Sequence, residues 1–433
     1  MPAETINFSC RKGGGRENDM NQRKIAVIGG GAAGMMAAGY AAQLGADVTL
    51  FERNTLLGKK LGITGKGRCN VTNNCTPEEF IKNITANGQF LYSAINRFSP
   101  ADTMDFFEAL GVPLKTERGN RVFPVSDNAV DIVLALKKYC LQNGVHIVTE
   151  RVTELLKNED GSLSGVISEK RRHTGFDAVI LSTGGVSYPV TGSTGDGYRL
   201  AQSVGHTVKE PIPSLVGLTS DDGICAASMG LALKNVAVTV TDTVKKKVVY
   251  KDFGEMLFCH FGISGPMILS ASAHLRPMQK NRYAVSIDLK PALDAQTLDK
   301  RMLSDFEKMK NRNFANAFDA LLPAKLREPF IKLTGISPDK KINAVTAEER
   351  RRVVALMKAI PVSVTGFRPI TEAIVTSGGI AVKEIEPNTM RSRLCHNLYF
   401  AGEVIDLDAY TGGFNLQIAF ATAHAAAEAA VKA

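Results

Sequence analysis

Residues 24–52 read KIAVIGGGAAGMMAAGYAAQLGADVTLFE. This run constrains the fold more than any other. An apolar strand over Ile25–Ile28 enters a glycine turn, a small-residue helix follows, and a second strand ends in an acid. The glycines Gly29, Gly31 and Gly34 have the G-x-G-x-x-G spacing. Each has a separate duty. Gly29 permits the tight turn, Gly31 lets a pyrophosphate approach bare backbone, and Gly34 lets the helix pack close to the sheet. The helix opens with Ala32 and Ala33, so its first N–H groups and positive dipole end face the phosphates. Glu52 closes the second strand, where a carboxylate accepts hydrogen bonds from a ribose diol, and Arg53 follows it. A glycine turn without a ligand is the plainer alternative. Strand, helix, strand and terminal acid in one order favour a bound dinucleotide.

Two later segments select FAD over a soluble nicotinamide cofactor. Residues 177–185 form an apolar strand running into Ser182-Thr183-Gly184-Gly185. Residues 397–404 form another, ending in Gly402-Glu403. Flavoproteins with two dinucleotide folds are similar at both places. In them a Gly-Asp pair meets the ribityl or phosphate region. Here the acid is Glu403, with Asp406 three residues on, and the contact stays open between the two. Gly412-Gly413-Phe414-Asn415 then opens an alanine-rich helix. Such a helix start places N–H donors where they stabilise negative charge on a reduced ring; the alternative for the glycines is a plain loop. The fold class is therefore α/β: a Rossmann-like FAD domain built from both ends of the chain, with an inserted antiparallel β domain and a helical subdomain between them.

The chain has 433 residues, enough for two or three domains. The expected division is a disordered N-terminal extension over 1–22, an FAD domain over 23–195 and 361–433, a β insert over 196–290 and a basic helical part over 291–360. Residues 1–19 carry no signal-peptide pattern, and Met20 resembles a natural start just before the first strand. No apolar run approaches the roughly 20 residues that span a bilayer, so no membrane insertion is expected. Seven dispersed cysteines, with no metal-ligand spacing, fit reduced thiols in a cytoplasm. Neither a disulfide nor a metal site is expected. Net charge is +9, and residues 291–360 carry 14 Lys+Arg against 9 Asp+Glu. That segment, with Lys340, Lys341, Arg350, Arg351 and Arg352, reads as a solvated helical face or as a landing surface for RNA. Residues 77–144 read as mostly helical with a short break at 119–125.

The glycine-rich loop at 58–73 follows the second strand and is expected to run along the cofactor. Lys60, Gly67, Arg68, Cys69 and Asn70 lie in it. Cys69 beside Arg68 is expected to have a lowered pKa and to donate a proton, or else to be a small packing residue. His260, in the dense loop 259–267, is a second acid–base candidate or a structural histidine. Arg121, Tyr188, Arg368 and Tyr410 are further polar candidates. No second G-x-G-x-x-G occurs between 53 and 395, so NAD(P)H as reductant is expected to dock only transiently.

The stretches IAVIGGGAAGMMAA, LGKKLGITGKGRCNVTN, RVFPVSDNA, HFGISGPM, EAIVTSGG and LYFAGEVIDLDAYTGGFNLQIAFATAHAAA resemble the BaiN/YhiN-like (RdsA-like) NAD(P)/FAD-dependent oxidoreductases over nearly the whole chain from about residue 22. The resemblance implies an NAD(P)H-dependent flavoprotein oxidoreductase acting on CH–CH bonds. One implied activity is reduction of 3-oxo-Δ4/Δ4,6 bile-acid intermediates, free or CoA-linked, in secondary bile acid and steroid lipid metabolism. The other is reduction of uridine to dihydrouridine in 23S ribosomal RNA. Both add hydride to a C=C conjugated with a carbonyl. The steroid substrate is taken first and ribosomal RNA second. A flavin-bearing binding factor without turnover is the alternative of another class.

Overall fold

The computed structural model describes residues 22–433. All but the last residue of the expected 1–22 extension lies outside the described residues, as does Met20. The chain forms two compact units. One holds the residues up to Ile212 together with Val375–Ala433, and the other holds Pro213–Ile374.

The first unit is built on a five-stranded sheet. Its strands are β1 (Lys24–Ile28), β2 (Asp47–Glu52), β3 (His146–Thr149), β4 (Ala178–Leu181) and β5 (Leu398–Phe400), in spatial order β5–β4–β1–β2–β3. Every pairing is parallel, with Ile25 opposite Val48 and Ala178, and Val179 opposite Leu398. Parallel sheets are covered on both faces, so their strands are near-continuous apolar runs. The sequence AVIL of β4 is buried throughout. Helix α1 (Ala32–Gln43) connects β1 to β2 and is also buried, which its small, all-round apolar sequence allows. It packs against the alanine-rich helix Phe414–Lys432. The break expected inside 77–144 is a β-hairpin: Leu114–Glu117 pairs with Arg121–Pro124, which in turn pairs with Thr72–Asn73. Glycine and asparagine at 119–120, with Asn120 at φ +57°, supply the turn.

The second unit has a seven-stranded antiparallel sheet and the helices Ala295–Lys308, Ala324–Thr334 and Ala347–Lys358. Sheet residues Val238, Val285 and Ile287 share one core with Leu298, Met302, Phe330, Val353 and Met357 of the helices. The expected β and helical parts are therefore one unit, because neither could bury its apolar face alone. Its bounds also differ from 196 and 360. Helix Asp196–Ser203 belongs to the first unit, and strand Ile360–Val364 to the second, where it pairs with Tyr283–Asp288.

Candidate dinucleotide site

The turn between β1 and α1 shows why each glycine is there. Gly29 has φ +105°, and a Cβ there would lie 2.6 Å from the Ser182 carbonyl oxygen. A Cβ on Gly34 would lie 1.7 Å from the Gly29 oxygen. Both glycines are demanded by the protein's own packing. Gly31 differs. Its φ −80° and ψ −166° are open to any residue, and a Cβ there would meet nothing within 4 Å. Neither strain nor contact explains it. Helix α1 has no side-chain cap and no acid in its first turn. Met35 is the first residue to bond back into the helix, to the Gly31 oxygen at 3.0 Å. The earlier N–H groups are left for another acceptor.

Glu52 is nearly buried at the end of β2. It accepts from Gly30 N at 2.7 Å and from Asn54 N at 2.8 Å and Asn54 Nδ2 at 2.7 Å. The acid thus braces the turn through both of its carboxylate oxygens. Arg53, expected beside the cofactor, instead pairs with Asp196 at 3.2 Å and donates to Thr194. Burial works to raise the Asp196 carboxyl, but Arg151, Arg199 and Arg53 outweigh it and hold it at about 2.

Of the two acids left open at the second Gly-acid pair, Glu403 is the one at the Thr183–Gly185 turn. A Cβ on Gly185 would lie 3.3 Å from its Oε1. Lys60 Nζ donates to Glu403 Oε2 and to Ser187 Oγ, both at 2.6 Å. Thr376 N donates to Glu403 Oε1 at 2.8 Å. Asp406 instead accepts from Asn87 at 3.1 Å. Gly402, at φ +76°, lets this turn sit against Ala33.

Gly413, at φ +98°, lies so close to Thr72 that a Cβ would be 2.2 Å from its oxygen. The helix it starts has no side-chain cap and no first-turn acid, like α1. Phe414 is buried against Phe80, with ring centroids 5.2 Å apart. Asn415, expected at the cofactor, has its amide bonded to Ala409 N and O, at 3.0 and 2.8 Å.

The loop 58–73 corrects two expectations. Gly65, Lys66, Gly67 and Cys69 all have positive φ, so the chain coils tightly there. Arg68 does not charge the thiol's surroundings. Its Nε donates to Asp127 at 2.8 Å, it also pairs with Glu117, and it lies over the Phe123 ring at 4.2 Å. Cys69 has no exposed surface, and burial pushes its thiol up to about 12, against a smaller opposing pull from a Thr64 hydrogen bond. A thiol that weakly acidic and sealed in protein fits the packing alternative better than the proton donor. Cys69→Ala is therefore expected to leave acceptor reduction within about threefold of the parent, far from the ~10²-fold loss of a removed general acid. Steady-state rates of the variant check it; a hundredfold loss would restore the catalytic role.

His260 lies in the second unit. It is exposed, its ring edge-on to Phe261 at 5.1 Å, and no hydrogen bond to its imidazole occurs among the described residues. Arg368 stacks on Phe261 at 4.6 Å and pairs with Glu372. Sequence reading did not single out Ser187, Thr376 or Asn54. Their roles rest on partners far along the chain, except for Asn54, which follows Glu52 closely enough to have been suspected.

Two further observations bear on a ligand. Thr183 Oγ1 and Asn70 Oδ1 are buried without a hydrogen-bond partner. Together with the bare backbone at Gly31, the two uncapped helix starts and Glu52, they fit a dinucleotide that carries a flavin.

The family described as HI0933-like protein Rossmann domain matches residues 23–429. The chain belongs to this family. It is an oxidoreductase on a flavoprotein fold. It is 29% identical to the 3-dehydro-bile acid Δ(4,6)-reductase of Clostridium scindens, over 94% of this chain and 99% of that protein. It is 30% identical to the ribosomal RNA dihydrouridine synthase of Haemophilus influenzae, over 93% of this chain and 96% of that one. Among solved structures, 3-ketosteroid-Δ4-(5α)-dehydrogenase from Rhodococcus jostii RHA1 shares the fold, with a TM-score of 0.53 and 15% identity, covering 96% of this chain and 99% of that one. No helix among the described residues is long and apolar enough to cross a membrane.

Proposed function

We propose that this family member is an FAD-dependent ene-reductase whose acceptor is a 3-oxo-Δ4 or Δ4,6 bile-acid steroid and whose reductant is NAD(P)H. The bare backbone at Gly31 carries the cofactor part of this reading, since nothing in the protein itself calls for glycine there. The free N–H groups of α1 would hold the pyrophosphate, and Glu52 the adenosine ribose. Lys60 and Glu403, with Thr183 and Asn70, would hold the ribityl side. The start of helix Phe414–Lys432 would stabilise negative charge on the reduced ring. When bound, the flavin supplies two-electron chemistry, taking hydride from NAD(P)H and giving it to a C=C conjugated with a carbonyl. Of the two proton-donor candidates, His260 alone keeps an accessible acid–base group. The six described cysteines are free thiols, which suits a cytoplasmic enzyme.

Near-complete coverage of the bile-acid reductase supports the steroid reading. Part of the basic segment's charge is already paired within the protein. Arg350 is paired with Asp299 at 2.8 Å, Lys340 with Glu349 at 2.7 Å and Lys358 with Asp288 at 2.6 Å. Reduction of uridine in ribosomal RNA remains the second reading, favoured by the 30% identity to the dihydrouridine synthase.

The two readings part in one experiment. The enzyme is reduced without oxygen, then mixed with a 3-oxo-Δ4,6 steroid acid or with unmodified 23S RNA. Rapid return of the oxidised flavin spectrum with the steroid alone is expected. Return with RNA alone overturns the steroid assignment and leaves the ene-reductase class intact. Reoxidation by neither removes both substrates.

A further inference from the structure

The second unit carries a long hairpin, Ala232–Asp242 paired with Lys247–Cys259, whose turn is Thr243–Lys246. The turn is held rigidly. Asp242 is buried, and its Oδ1 accepts from the backbone N–H of Val244 and Lys245, both at 3.0 Å. Its Oδ2 is gripped by Arg282 at 2.8 Å. On this fixed root stand Lys245, Lys246 and Lys247, with Lys251 further down the strand. None of the four ammonium groups has an ion pair or hydrogen bond among the described residues. The nearby acids are engaged: Asp242 by Arg282, and Asp252 by the Tyr250 hydroxyl at 2.8 Å.

The apolar side chains around these lysines are unusually open. Val244 is 69% exposed, Val248 51% and Phe253 55%. Lysines on an exposed strand edge can serve to block edge-to-edge pairing. That duty can account for Lys247 and Lys251, which lie in the strand. It gives no role to Val244, Lys245 or Lys246, which lie in the turn beyond the ladder. Contact with nucleic-acid phosphates would use the lysines and leave Val244 and Val248 in water. A bilayer with anionic headgroups uses both, taking apolar side chains into the interface while the ammonium groups meet the lipid charge.

We propose that the Val244–Val248 tip docks the protein on the surface of an anionic lipid bilayer. This docking is independent of turnover and of which substrate is reduced.

The test is flotation of the full-length holoprotein with vesicles of phosphatidylcholine alone and of phosphatidylcholine with one-third phosphatidylglycerol. Binding only to the anionic vesicles, weakened by salt, is expected. K245E/K246E/K247E should lower the partition coefficient on the order of 10²-fold. V244S/V248S should lower it on the order of tenfold, since each valine loses most of its apolar transfer. Both variants should keep their flavin and its rate of reduction by NAD(P)H, which separates lost docking from lost folding and from failure of the enzymatic reading. The proposal is overturned by absence of vesicle binding, by binding that both variants retain, or by a polyanion preference in which single-stranded RNA competes fully and V244S/V248S changes nothing.

Discussion

Gly31→Val is expected to give a folded, colourless protein, and Gly34→Ala to give little folded protein at all. The two positions are three residues apart in one motif, yet the structure assigns their glycines to different partners. At Gly34 the added carbon falls 1.7 Å from the Gly29 carbonyl oxygen and 2.8 Å from Ser182 Oγ. The carbonyl is backbone inside the tight turn and cannot step aside, so α1 must lift from β1. Overpacking of that kind costs ~3 kcal/mol or more, a large share of the stability of any domain. At Gly31 the backbone is extended and the space is open. The valine is therefore accommodated by the protein and excludes only what binds there. Thermal unfolding of the apoprotein should shift by a few degrees at most, while the absorbance of bound flavin disappears and cannot be restored by added FAD. A yellow Gly31→Val protein would sink the assignment of this turn to the pyrophosphate. A Gly34→Ala protein that is stable and yellow would show that the turn relaxes more than its packing suggests.

Much of this was legible because it is local. The β1–α1–β2 unit is written in 29 consecutive residues, and the glycine spacing, the apolar strand and the terminal acid all fall within it. Membership of the family and the α/β fold followed from such segments, and the comparisons support both. What was not legible depends on partners far away in sequence. Arg68 looked like a charge beside Cys69, but Glu117 and Asp127 reach it from 49 and 59 residues on. Arg53 was expected beside the cofactor, but Asp196 claims it from 143 residues on. Cys69 looked reactive because adjacency along the chain suggested proximity of charge. A positive φ at Cys69 turns the backbone so that neighbours in sequence face different surroundings. The hairpin at 114–124 was hidden for a different reason: strands of four residues are too short to establish a period against the helices around them.

His424 was not singled out in the sequence, and it sets a pH effect on stability on the acid side of neutrality. It lies within helix Phe414–Lys432, stacked between Tyr40 of α1 at 3.9 Å and Phe98 at 4.8 Å. Its Nδ1 is buried without a partner. Burial is the main force lowering its pKa to about 4; Glu428 and Asp102 pull the other way, and Arg97 and Lys432 reinforce the fall. Unfolded, the imidazole takes up its proton near its ordinary value of 6.5. Between those two values the unfolded chain holds more protons than the folded one, so stability rises with pH there. The contribution is complete above 6.5 and is lost as pH falls to about 4. Across that window the loss amounts to ~3 kcal/mol. Glu428, whose carboxyl is held below its ordinary range chiefly by Lys432, adds its own loss only at lower pH. His424→Phe keeps an aromatic ring in the stack and removes the titration. Denaturant midpoints of parent and variant measured from pH 7 to pH 4 should therefore diverge, with the parent falling further than the variant, which keeps the loss from His206, itself lowered by burial, until carboxylates titrate. Because the stack joins α1 to the helix that begins at Gly413, the parent should also release its flavin on acidification before the variant does. Parallel curves for the two proteins would mean that the imidazole is solvated in the folded state, and that the union of these two helices does not depend on its remaining neutral.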